Sequence, residues 1–304
     1  MIDRPRRSVL YVPASNARAL AKSRALDADA VVIDLEDAVA PDDKRAARAA
    51  AVAAVAAGGF GHREVVIRVN APDTPWGADD MAAAAAAGPH GVLVPKVSGP
   101  DALRRATASL VDAPGHLRVW AMIETPLAVL RLADIAGTAA DPASRLAVLV
   151  LGTNDLAKDL RVATRPGREP LLAWAAATVA AARAYGLDAL DGVFNGIDDP
   201  AGLAAEARQG RDFGFDGKTC IHPGQIAVCN RVFAPGPDEL AWARRIADAF
   251  EAPGGAGCNV LRIDGRMVER LHADEARRLL AVAALLAERD GAPPAPRGGP
   301  SPAL

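Results

Sequence analysis

Apolar residues in this chain gather in short, nearly unbroken runs. Eight of them read as strands buried on both faces: SVLYV (8–12), AVVIDL (30–35), EVVIRV (64–69), GVLVP (91–95), RVWAMI (118–123), LAVLVL (146–151), ALDGVF (189–194) and FDGKTCI (215–221). Between them lie Ala-, Leu- and Arg-rich segments such as AARAAAVAAVAAG and LLAWAAATVAAARAYG, with the length of helices and several ending at Gly. The Ala-rich run 82–88 is one more helix former. Strand–helix alternation repeated eight times predicts an α/β protein, a closed (β/α)8 TIM barrel over residues 1–235. An open doubly wound sheet is the alternative. It usually carries G-x-G-x-x-G after its first strand, where this chain reads VPASNARAL.

Beyond the eighth strand, residues 236–251 read as a helix broken at APGGAG, followed by a short strand or turn and a last helix. Residues 236–289 therefore form a small C-terminal helical extension, expected to pack on the barrel or at a subunit interface. The tail 290–304 is rich in Pro, Gly and Ser and is expected to be disordered.

Composition narrows the partners. The 304 residues carry 35 basic and 37 acidic side chains, a net charge of −2 that favours neither nucleic acid nor anionic membrane. No apolar segment is long and uninterrupted enough to span a bilayer, and the N-terminal residues do not resemble a signal peptide. Three cysteines without CxxC spacing suit a reducing compartment, so the expected location is cytoplasmic.

A (β/α)8 barrel works at the C-terminal ends of its strands. Here these ends supply Pro13 and Ser15; Asp34, Glu36 and Asp37; Arg68 and Asn70; Lys96; Glu124; Thr153, Asn154 and Asp155; Asp191 and Asn195; and Lys218 and His222. Glu124 and Asp155, on neighbouring strands, are an apt pair for one hard divalent cation such as Mg²⁺, with water and substrate completing the shell. The lack of a His or Cys cluster argues against zinc. Each acid also has a plain reading, Glu124 as a turn acid before Thr-Pro and Asp155 as a helix cap. Glu36 and Asp37, in DLEDAV, read as an outer shell that fixes metal waters or orients Arg68 and Lys96, or else as a solvated loop. The turn Gly152-Thr153-Asn154 offers backbone N–H groups to a substrate carboxylate, though it is also ordinary turn chemistry. His222 is equally suited to a structural bond or a substrate contact. His62, His90, His116 and His272 fit no ligand spacing.

The stretches RSVLYVPASN, ADAVVIDLEDAVAPDDK, IRVN, VLVPKV, MIETPLAV, LGTNDLAKDL, LDGVFNGIDD, GFDGKTCIHPGQI and DGRMVE, in this order, resemble the citrate lyase beta-subunit-like family of CoA-ester lyases, which includes malyl-CoA and citramalyl-CoA lyases. The resemblance implies a (β/α)8 barrel with a C-terminal extension, assembled as a homotrimer or hexamer. It also implies Mg²⁺ on Glu124 and Asp155, and Arg68 binding the acyl or enolate oxygen. A 2-oxo-acid carboxylate would lie at Gly152, Thr153 and Asn154, with Glu36 and Asp37 on the metal's waters and Lys96 beside them.

One motif departs from the pattern. The family's catalytic acid commonly follows Gly-Lys-Met-Val/Ile as Asp, with Pro close behind, and reaches a neighbouring subunit's site. This chain reads GRMVERLH, with Glu269 for the Asp and Leu271 for the Pro. The implied activity is Mg²⁺-dependent cleavage or formation of a C–C bond in a 3-hydroxyacyl-CoA dicarboxylate (malyl-, citramalyl- or citryl-CoA), with a 2-oxo acid and a CoA thioester as partners. Glu269 would be the proton donor, in trans. The alternatives are a metal-dependent 2-oxo-acid aldolase without CoA and a non-catalytic citrate-lyase-like binding subunit.

Overall fold

The computed structural model describes residues 4–289, so the tail 290–304 lies outside it. The described residues form two compact units, Arg6–Phe233 and a second one from Ala234 onward.

In the first unit, eight parallel strands close into a barrel in sequence order: β1 (Ser8–Pro13), β2 (Ala30–Asp34), β3 (Glu64–Arg68), β4 (Gly91–Val94), β5 (Arg118–Ile123), β6 (Leu146–Leu151), β7 (Asp188–Asp191) and β8 (Gly217–Cys220). The last two are shorter than their apolar patterns suggest. β7 stops at Asp191, where the Asp191 side chain turns back to accept from the Gly192 N–H, and β8 gives way to a turn at Ile221. Helices cover the outside, and the two faces of each strand divide the core. Val9, Val32, Val66, Leu93, Trp120, Val148 and Leu190 pack together inside the barrel. Their neighbours, such as Leu10, Ile33, Ile67, Val92, Ala121 and Leu149, join the larger core beneath the helices. That two-residue alternation is why both sides of a strand must be apolar.

The N-terminal end of the barrel is plugged by charge. Arg6 bonds Glu64 through Nε at 2.7 Å, pairs with Asp188 and lies over the Trp120 ring.

The second unit holds the helix Pro237–Glu251, the antiparallel pair β9 (Val260–Ile263) and β10 (Arg266–Glu269), and the helix Arg270–Arg289. Its own small core joins Ile246 and Phe250 to Val268, Ala273 and Ala276. Among the described residues, no helix is long and apolar enough to cross a membrane.

Candidate active site at the barrel mouth

The alternation that fills the barrel also selects what reaches its mouth. On β5, Trp120 and Met122 face inward, and the next inward position is Glu124. On β2 and β3, Asp34 and Arg68 are register partners at the last rung. Their side chains form a two-pronged pair, Arg68 Nε to Asp34 Oδ1 and Arg68 Nη2 to Asp34 Oδ2, both 2.6 Å. Tyr11 lies under the guanidinium, 4.9 Å from its carbon to the ring centre. Burial alone would weaken the Arg68 charge, but Asp34 outweighs it and holds the guanidinium well above the ordinary arginine range.

The acidic loop after β2 continues this network. Glu36 Oε2 lies 2.7 Å from Arg68 Nη1 without hydrogen-bond alignment, and Glu36 Oε1 pairs with Lys96 Nζ. Asp37 Oδ2 is 3.3 Å from Arg68 Nη1. Burial raises the Glu36 carboxyl above its usual range, partly offset by Arg68. Below the loop, the buried Lys44 donates to Leu35 O (2.7 Å), Glu36 O (2.8 Å) and Asn70 Oδ1 (2.7 Å). Asn70 is in turn held by Asp80 at 2.6 Å. Lys44 closes the stretch ADAVVIDLEDAVAPDDK without a role assigned to it, and Asp80 did not stand out in the sequence. Each lies within a helical stretch, and only the fold brings them under the loop.

Glu124 is fully buried. Its Oε1 accepts the backbone N–H of Lys96 at 2.7 Å. Lys96 presents that N–H from a left-handed backbone, φ 51°, which is uncommon for a residue with a side chain. Its side chain does something else, pairing with Glu36. Glu124 Oε2 is buried with no hydrogen-bond partner among the described residues. Burial, reinforced by the nearby charges of Glu36 and Asp155, pushes the Glu124 carboxyl up to about 7. Asp155, in the first turn of the helix Thr153–Leu160, lines the same cavity as Glu124, Arg68 and Asp34, a space of about 330 Å³.

This arrangement suits a divalent cation. A buried carboxylate oxygen without a donor, and a second carboxylate on the same cavity, form a two-acid set of the kind Mg²⁺ takes with water and substrate oxygens. No cluster of three or more His, Cys, Asp or Glu side chains able to hold a metal occurs among the described residues.

Three expectations change. The Gly152 N–H donates to Ile123 O at 2.9 Å, so it is not available to a substrate carboxylate. Gly152 instead supplies space, because a Cβ there would fall 2.4 Å from Glu124 Cβ. Thr153 and Asn154 line the cavity, and the Asn154 side chain exchanges two amide bonds with Asn195. Lys218 and Asp191 do not face the mouth. Both project outward from their strands, fully buried, where Lys218 Nζ meets Asp191 Oδ2 at 2.9 Å and Glu206 Oε1 at 2.8 Å. Arg168 Nη1 completes the group on Asp191 at 2.7 Å. His222 serves as a cap, its Nδ1 accepting from the Gly224 N–H at 3.1 Å. Glu269 is carried by the C-terminal unit at the end of β10, where its backbone N–H donates to His272 Nδ1 at 2.9 Å.

A parallel (β/α)8 barrel with an acidic, arginine-bearing mouth is an enzyme architecture on which metal-assisted chemistry can be built. Residues 7–223 match the HpcH/HpaI aldolase/citrate lyase family, and the chain belongs to it. It is 46% identical to a (3S)-malyl-CoA thioesterase of Cereibacter sphaeroides, over 93% of this chain and 96% of that protein. It is 34% identical to the citrate lyase subunit beta of Escherichia coli, over 94% of this chain and 96% of that one. Among solved structures it resembles the protein CitE of Mycobacterium tuberculosis in complex with magnesium, acetoacetate and coenzyme A. That match has a TM-score of 0.76 and 30% identity, covering 93% of this chain and all of that one. It also resembles a citrate lyase beta subunit from M. tuberculosis complexed with oxaloacetate and magnesium, with a TM-score of 0.64 and 32% identity, covering 77% of this chain and all of that one.

Proposed function

We propose that this chain is a Mg²⁺-dependent carbon–carbon lyase acting on a 3-hydroxyacyl-CoA with a second carboxylate, such as malyl-, citramalyl- or citryl-CoA. Its products are a 2-oxo acid and an acyl-CoA, and the reaction is reversible. The observation that carries this reading is the buried, partnerless Glu124 Oε2 sharing one cavity with Asp155 and Arg68. Mg²⁺ bound there would supply Lewis-acid stabilisation of negative charge on the substrate's hydroxyl oxygen, which becomes the carbonyl oxygen of the 2-oxo acid.

The chain's own residues account for the rest. Glu124 and Asp155 hold the cation, and Lys96 fixes one Glu124 oxygen so that the other faces it. Thr153 and Asn154 orient the carboxylate of the oxo acid. In the cleavage direction a base takes the hydroxyl proton, the O–H electron pair becomes the new carbonyl bond, and the C–C pair moves onto the thioester as an enolate. Arg68 stabilises that enolate, a charge present mainly near the transition state. Glu269 returns a proton to the enolate carbon. Glu36 and Asp37 keep Arg68 and Lys96 in place. The reading includes a homotrimer or hexamer in the cytoplasm, with the C-terminal extension acting in trans. The C-terminal unit's exposed apolar residues Met267 (68%) and Leu271 (61%) support association.

A second reading is hydrolysis of the thioester itself. It is favoured by the 46% identity to proteins named (3S)-malyl-CoA thioesterase. One assay separates the two. With malyl-CoA and Mg²⁺, C–C cleavage releases glyoxylate, trapped as its phenylhydrazone, without free thiol. Hydrolysis releases malate and one free CoA thiol, without a trapped carbonyl. Full activity in EDTA would remove the metal from either scheme.

A further inference from the structure

Beside the mouth lies a second, larger cavity of about 460 Å³. It is bounded by the start of the helix Thr153–Leu160, the loop 163–171, the residues after β7 and the helix Pro200–Phe213. Thr153, Asn154 and Val193 line both cavities, so the two share a wall.

That wall is built to be opened. Asn154 Nδ2 donates to Asn195 Oδ1 at 3.3 Å and Asn195 Nδ2 donates to Asn154 Oδ1 at 2.8 Å, with both bonds exposed. Such a pair can exchange its bonds for those of a ligand without stranding a buried polar group. Most of the charged lining residues are committed, and the exposed Asp199 caps its helix, accepting from the Gly202 N–H at 2.8 Å. Arg168 is committed to Asp191 and Gln209, and Glu206 to Lys218. Arg165 differs. It lines the cavity, is exposed, and its side chain has no hydrogen bond or ion pair among the described residues. Much of the remaining lining is apolar, including Leu171, Phe194 and Ala205. A space with short apolar walls, amides at its entrance and one uncommitted guanidinium suits a short carbon chain that ends in a carboxylate.

We propose that this annex is a specificity site, holding the carboxylate-terminated tail of a 2-oxo acid longer than glyoxylate, or of the matching 3-hydroxyacyl group. Arg165 takes the distal carboxylate, and the Asn154–Asn195 pair opens to line its path. The assignment rests on the mouth binding the oxo-acid end of the substrate, as proposed above.

The test is calorimetric, with Mg²⁺ and a series of glyoxylate, pyruvate, oxaloacetate and 2-oxoglutarate, on the full chain and on two variants. Arg165→Gln removes the cation, and Ala205→Trp fills the annex from an exposed helix position. The wild type binds the dicarboxylic acids at least about tenfold more tightly than glyoxylate, the effect of one charge-assisted bond pair. Both variants lose that preference, while their glyoxylate affinity stays within about twofold of wild type. A preference that survives both substitutions, an equal loss for glyoxylate and the dicarboxylic acids, or no preference in the wild type would overturn the annex. Failure of the wild type to bind any 2-oxo acid would overturn the mouth reading and the annex with it.

Discussion

Glu124 concentrates the chemistry of the mouth in one side chain. Its carboxyl is raised from 4.5 to about 7 by burial and by the acids around it, so the folded chain binds this proton more tightly than the unfolded chain. The stability associated with that proton is fully present below pH 4.5 and is lost as pH rises through about 7. In metal-free protein, Glu124→Gln avoids this loss, so at pH 8 the variant should be more stable than wild type by roughly 1–3 kcal/mol, and near pH 4 about equal to it. Added Mg²⁺ should reverse the order at pH 8 by stabilising only the wild type. Melting curves in EDTA and in Mg²⁺ at the two pH values check both statements. Gly152 is the counterpart of Glu124. A methyl group at 2.4 Å from Glu124 Cβ cannot be accommodated without displacement, so Gly152→Ala should cost about 1–3 kcal/mol and weaken the Mg²⁺-induced rise in Tm.

Elements matter here chiefly through strand parity and register. Asp34 and Arg68 pair because β2 and β3 run in register and both residues lie on the inward face, a relation that chain order alone does not contain. Parity also removes residues from the mouth. Lys218 and Asp191 stand at strand ends, but they face the helix layer and form a buried charge group with Glu206 and Arg168. Burial would raise the Asp191 carboxyl, yet Lys218 and Arg168 outweigh it and hold it below the usual range. Lys218→Met should therefore destabilise by about 3–5 kcal/mol, because it leaves Asp191 buried with a partner missing. Adding Asp191→Asn should recover part of that loss, measurable as a rise in denaturation midpoint over the single variant.

Across the whole molecule, the proposed chemistry is divided between two units, with the metal carboxylates on the barrel and Glu269 on the C-terminal extension. Glu269→Ala should lower turnover by roughly 10²–10⁴-fold, the usual weight of a positioned acid or base, while leaving Mg²⁺ affinity within about twofold. If the extension acts in trans, subunits carrying Glu124→Ala mixed with subunits carrying Glu269→Ala should regain activity that neither has alone. Mixtures that remain inactive after confirmed subunit exchange would place both residues' work within one chain.

Much of the barrel was legible in the chain, because burial on both faces demands unbroken apolar runs, and eight such runs separated by helices leave few ways to cover them. The acids and Arg68 could be read as mouth residues for the same reason, since each lies at the end of a run or within a few residues after it. What the chain order left open is what each end residue faces. Two residues apart on a strand means the same face, and one residue apart means opposite faces, so the exact strand ends assign Glu124 to the cavity and Lys218 to the helix layer. The supports under the acidic loop, Lys44, Asn70 and Asp80, lie on three different segments and meet only once the barrel has closed. Sequence by itself determined the kind of layer each run must enter, because hydrophobic burial is a property of local pattern. Tertiary structure alone decided which charges meet, because that depends on strand register and on distances between residues far apart in the chain.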